Sequence, residues 1–78
     1  MKNTILTYTL RGTTTTLLLT WGDANKSAVA LVQKCGATDV IATWYDDNGI
    51  AILVRKYYVG EDYFTGEETV FIKDTDLI

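Results

Sequence analysis

Only one stretch of this sequence repeats its apolar residues with a helical period, and the segments around it alternate with period two. From Asp23 onward, Ala28, Leu31, Val32 and Cys35 fall at i, i+3, i+4 and i+7, with Lys26, Gln33 and Lys34 elsewhere on the wheel. That spacing predicts a single amphipathic helix. Asp23 or Asn25 is placed to cap its first turn, Lys34 suits the negative end of the dipole, and Gly36 stands where a left-handed terminating residue belongs. Cys35 completes the apolar stripe and reads as a small core residue rather than a nucleophile.

Ahead of the helix, Ile5 to Arg11 sets Leu6, Tyr8 and Leu10 against Thr7, Thr9 and Arg11, the alternation of a half-buried strand. Gly12-Thr13 supplies a two-residue turn, after which Thr14 to Trp21 alternates again. Pairing Tyr8 with Leu17 and Leu6 with Leu19 brings Leu6, Tyr8, Leu10, Leu17, Leu19 and Trp21 onto one face and mostly threonine onto the other.

After the helix, Val40 to Tyr45 and Ile50 to Val59 are rich in Val, Ile, Trp and Tyr and flank Asp46-Asp47-Asn48-Gly49, a strong hairpin signal. A two- or four-residue loop puts Ile41, Thr43, Tyr45, Ile52 and Val54 on one face and Val40, Ala42, Trp44, Leu53 and Tyr57 on the other. A bulged three-residue loop swaps one strand. A loop from Gly60 to Glu68 leads to a last strand, Thr69 to Lys73, and an acidic tail, Asp74 to Ile78. The predicted order ββαβββ gives a two-layer α+β sandwich, one helix on a mostly antiparallel four- to five-stranded sheet, within a single domain spanning residues 1 to 78. The opposite face of the sheet is left to solvent or to a partner.

Composition narrows the chemistry. With no histidine in its 78 residues the chain lacks the usual proton shuttle near neutral pH and the commonest zinc ligand, and the six glycines are scattered singly rather than gathered into a phosphate loop. One cysteine permits no intrachain disulfide, and the N-terminus shows no apolar run of a signal peptide or membrane span. The expectation is a complete small open reading frame, cytoplasmic, with no cofactor, no metal and no membrane association. Asp46 to Gly49 does not suit calcium, because a loop containing it places Trp44 at the first ligand position and Arg55 at the twelfth.

The charge is polarised. Residues 1 to 39 carry net +2 and residues 40 to 78 net −5, which together make the chain's −3. Glu61, Asp62, Glu67, Glu68, Asp74 and Asp76, with the turn carboxylates Asp46 and Asp47, are expected to present a negative surface to a basic groove. Tyr63 and Phe64 sit inside that acidic loop and are expected to anchor a protein partner, although a domain this small could also use both rings to cap its core. Arg55-Lys56-Tyr57-Tyr58 reads less well as a nucleic-acid strand, since no second basic cluster extends it. The paired carboxylates lack the burial that separates acid from base.

These features predict a non-enzymatic inhibitor that binds a protein with a basic nucleic-acid-handling surface and does not itself bind nucleic acid. In size, acidity and lack of a catalytic set, the chain looks like phage-encoded anti-defence proteins such as anti-CRISPR proteins, a likeness of composition rather than of motif. The competing expectation is a small-ligand-binding or self-associating module, such as a homodimer, using an apolar sheet face around Trp44, Leu53 and Tyr57.

Overall fold

A computed structural model describes residues 3 to 76. Residues 77 and 78 of the expected acidic tail lie outside the described residues. The order is β1 (Asn3–Leu10), β2 (Thr13–Thr20), α1 (Trp21–Cys35), β3 (Thr38–Tyr45), β4 (Ala51–Glu61) and β5 (Glu68–Asp76). All neighbouring strands are antiparallel in one sheet ordered β2-β1-β3-β4-β5, with α1 packed across one face. The predicted ββαβββ order and two-layer α+β architecture are what the chain adopts.

The first hairpin keeps its predicted faces but not its register. Leu10 pairs with Thr13, so the turn residues are Arg11 and Gly12 rather than Gly12 and Thr13, and Leu6 faces Leu17 while Tyr8 faces Thr15. Both turn residues have positive φ (53° and 81°), as a twist-matched two-residue hairpin requires. The shift is two residues, an even number, so Leu6, Tyr8, Leu10, Leu17 and Leu19 stay on the helix side.

The helix begins earlier than the wheel suggests. Thr20 is the N-cap, its hydroxyl donating to Asp23 Oδ2 at 2.9 Å, and Trp21 opens the first turn. Neither Asp23 nor Asn25 is the cap. Ala24, Ala28 and Val32 are the buried stripe, and their small side chains let α1 lie close on the sheet. Cys35, at the end of the last turn, is exposed rather than buried. Two indoles clasp the start of α1 to the end of β3: Trp21 Nε1 donates to the Tyr45 carbonyl at 3.2 Å, and Trp44 Nε1 donates to the Trp21 carbonyl at 3.4 Å.

The β3–β4 hairpin resolves the open register through two bulges. Asp46 accepts from Gly49 N–H through its carbonyl and donates its own N–H to the Ile50 carbonyl, which makes Asp47 to Gly49 a three-residue loop with Gly49 left-handed. Alone, that loop would turn one strand over. The pairing then slips between Tyr45↔Ala51 and Trp44↔Leu53, and the extra residue, Ile52, restores the original alternation beyond it. Val40, Ala42, Trp44, Leu53 and Tyr57 therefore share the helix side, and Ile52 packs against that core instead of joining Ile41 and Val54. A further bulge at Asp39 (φ 51°) shifts the β1–β3 register between Thr7↔Ile41 and Thr9↔Thr38.

The core is Leu6, Ala24, Ala28, Val32, Ala37, Val40, Ala42, Trp44 and Tyr57. Thr4 is also fully buried, and its hydroxyl finds no partner among the described residues. A buried, unpaired hydroxyl costs about 1–3 kcal/mol. Thr4→Val, which keeps the β-branch, is expected to raise stability by roughly 1 kcal/mol, read as a higher urea midpoint at an unchanged slope.

Candidate functional site

The longest hairpin, β4–β5, reaches beyond the rest of the sheet. β3 pairs with β4 no further than Val40↔Tyr57, whereas β4–β5 pairing continues through Tyr58↔Phe71, Val59↔Val70 and Gly60↔Thr69 to Glu61↔Glu68. Those four additional pairs project roughly 13 Å past the last β3–β4 pair. Gly60 and Glu61, and Glu68 opposite, thus belong to strands. The connecting loop is shorter than the sequence suggests, running over residues 62 to 67.

A close aromatic approach holds the extension. Phe71 lies across Gly60, where a Cβ would overlap the ring, and stacks on Tyr58 with centroids 5.7 Å apart. An aromatic ring laid over a strand glycine in this way protects the backbone at its weakest residue. Val59 and Ile72 are exposed on the other side of the same hairpin.

At the tip, Asp62 organises the loop. Its Oδ1 accepts from Phe64 N–H at 2.8 Å and from Thr65 N–H at 3.2 Å, its carbonyl accepts from Gly66 N–H at 2.9 Å, and its own N–H donates to the Glu67 carbonyl at 2.8 Å. Thr65 Oγ1 accepts from Glu67 N–H. The loop is therefore tied to itself, and Tyr63 and Phe64 stand outward, 93% and 92% exposed, with their rings edge to face 5.5 Å apart. Neither ring caps the core. Glu61, Glu67 and Glu68 are exposed around them.

The expected site residues thus separate. Glu61, Tyr63, Phe64, Glu67 and Glu68 are presented together, and Asp62 builds the turn beneath them. Asp46 and Asp47 lie at the opposite end of β4, about 33 Å away over eleven residues. Asp46 has a turn-building role of its own, its Oδ1 accepting from Asn48 N–H and Ile50 N–H, both at 2.9 Å. They contribute no part of a footprint centred on the tip.

Two further groups escape sequence reasoning. Arg55 clamps three elements together. Nε and Nη2 donate to Asp74 at 2.6 and 2.9 Å, Nη1 donates to Asn25 Oδ1 at 3.1 Å, and the guanidinium sits 5.1 Å above the Trp44 ring. Tyr57 O–H donates to the same Asn25 oxygen at 2.7 Å. The hydrogen bond from Arg55 holds the Asp74 carboxyl below its ordinary value, and burial raises the Tyr57 phenol. Asp74 is consequently a partner inside β5 rather than part of an acidic tail. Pairing splits the candidate nucleic-acid run, with Arg55 and Tyr57 toward the helix and Lys56 and Tyr58 away from it.

The open sheet face differs from the one sequence reasoning offers for self-association. Trp44, Leu53 and Tyr57 lie against or beneath the helix, while Ile5, Leu18, Ile41, Tyr45 and Val54 line the exposed side. A groove of about 350 Å³ runs between Ile5, Leu18, Tyr45 and the Asp46–Asp47 turn. Among the described residues no group of three or more Cys, Asp or Glu is placed to hold a metal ion, and no helix is long and apolar enough to cross a membrane.

No known family, curated protein or solved structure matches this chain.

Proposed function

We infer that this chain is a non-enzymatic protein-binding inhibitor that offers the tip of β4–β5 to a basic, nucleic-acid-handling surface of another protein. The observation that carries the reading is the pair Tyr63 and Phe64, held almost fully exposed on an internally bonded loop inside a ring of carboxylates. Exposing two large rings has no folding benefit, and a pre-ordered loop loses little entropy on binding. The surrounding carboxylates supply the charge that steers such a loop to a cationic groove and excludes other surfaces. Size and acidity shared with phage-encoded anti-defence proteins put a nucleic-acid-handling defence complex first among the partners to test.

The tip also carries a local cost. Glu61 and Glu68 are directly opposed across the strands, an arrangement that destabilises a hairpin. Glu68→Lys is expected to stabilise the fold by roughly 0.5 kcal/mol while weakening partner binding. A loss of both stability and binding would make Glu68 a structural residue and remove it from the proposed footprint.

The deciding experiment is capture from nuclease-treated bacterial lysate with tagged chain, eluted by rising salt, beside the Glu67→Lys/Glu68→Lys variant. A basic nucleic-acid-binding protein that elutes from the native bait at elevated salt and is absent from the variant supports the reading. Capture that is indifferent to salt and to both reversals rules it out. The open face gives a second reading its own observation, the groove lined by Ile5, Leu18 and Tyr45, for which a small apolar ligand retained in native mass spectrometry is the test.

A further inference from the structure

The two margins of the sheet are built differently. β5 carries Glu68 and Lys73, exposed charged residues of the kind natural edge strands use to repel another strand. β2, at the other margin, reads Thr-Thr-Thr-Thr-Leu-Leu-Leu-Thr, with no charge and no proline. Its pairing with β1 runs through all eight residues without a shift, so no bulge twists the rim away. Along β2 neither charge, proline nor bulge guards against edge pairing.

The register also tells which backbone groups the rim presents. Leu10 and Thr13 close a two-residue turn and so form a hydrogen-bonded pair, as do Tyr8 with Thr15 and Leu6 with Leu17. The N–H and C=O groups of Thr14, Thr16 and Leu18 accordingly point outward. Threonine at 14 and 16 is exposed, and Leu18 is 69% exposed beside them.

We propose that β2 pairs antiparallel with β2 of a second copy of this chain, about a twofold axis at Thr16. In that register Thr16 meets its own counterpart, Thr14 meets Leu18 of the other copy, and each outward N–H and C=O gains a partner. The occupant is a second copy because of charge. The chain carries −3, yet β2 is neutral, and β5 with the β4–β5 tip, which together hold Glu61, Asp62, Glu67, Glu68 and Asp74, lies four strands away, roughly 19 Å across the sheet. Joining two copies at β2 therefore keeps the two acidic β4–β5 tips as far apart as the sheet allows, whereas the β5 margin would bring them together. A foreign strand has the same backbone to offer but nothing along β2 to select it. The product is one continuous sheet with both helices on the same side. This pairing stands independently of any role for the hairpin tip.

Sedimentation velocity and native mass spectrometry of the full chain at high micromolar concentration test the proposal. The expected species is twice 8.7 kDa. Thr16→Pro removes an outward N–H while leaving the β1 ladder intact, and Thr16→Lys places a guard on the rim, so each is expected to return the mass to that of one chain with an unchanged circular dichroism spectrum. If Thr16→Pro fails to fold, Thr16→Lys decides. A native chain that remains single at this concentration overturns the proposal, and so does a doubled mass that survives Thr16→Lys, which would place the contact elsewhere.

Discussion

Replacing Tyr63 and Phe64 together by alanine is expected to weaken partner binding by a hundredfold or more while leaving the fold intact. Two exposed aromatic anchors at a binding centre are each worth about 2 kcal/mol or more when truncated, and 1.4 kcal/mol is a factor of ten. The folded state loses almost nothing, because both rings are outside the core and touch mainly each other. Titration of a captured partner against the native chain and the double variant, with thermal unfolding of both, separates the effects. Equal affinity would show that the carboxylates alone make the contact, and a lowered midpoint would return the rings to a structural role. Single substitutions place the anchor: the ring that enters the partner's pocket carries most of the loss.

The largest effect on stability is expected at Tyr57, the bulkiest of the fully buried side chains. Tyr57→Ala removes the ring that fills the space between β4 and α1, at about 3–5 kcal/mol. For a domain near 80 residues that is most of its reserve, so the variant is expected to be largely unfolded at ambient temperature. Tyr57→Phe keeps the ring and leaves Asn25 still bonded to Arg55, so its cost should be nearer 1 kcal/mol. The same cluster sets the pH limits. Asp74 has its folded value depressed, so its contribution is present above the ordinary carboxylate range and is lost as pH falls through the folded value. Tyr57 has its folded value raised above 10, so its contribution holds below 10 and is lost as pH rises through the folded value. Urea midpoints from pH 2 to 11 should show a shallower acid limb in Asp74→Asn.

How far the sequence could be read depended on whether parity or exact offset was at stake. Faces survive errors of two residues, and so Leu6 and Tyr8 are found on the core side although their partners differ from those expected. Offsets do not survive: only the left-handed geometry of Arg11 and Gly12 distinguishes the observed turn from its neighbour, and arginine gives no composition cue for that conformation. Ile52 was hidden for a similar reason, because two bulges that cancel leave the alternation beyond them unchanged. The exposed position of Tyr63 and Phe64 could be anticipated from the acids that flank the aromatic pair. That Asp46 and the tip are at opposite ends of one strand could not be seen from loops read separately. The Arg55–Asp74 clamp joins residues nineteen apart across a hairpin whose length was underestimated, so Asp74 looked like a tail.

The outer part of β4–β5 has a further consequence, which is kinetic. Beyond Tyr57 these strands have each other but no third strand, and two-stranded ladders open locally at free energies well below that of global unfolding. Amide hydrogens there, at Val59 to Glu61 and Glu68 to Val70, should exchange through brief fraying events while those of β1 and β3 wait for the whole domain to open. A partner closing over the tip would suppress that fraying, so engagement should register as slowed exchange at these few amides, with the midpoint of thermal unfolding scarcely moved by weak complexes.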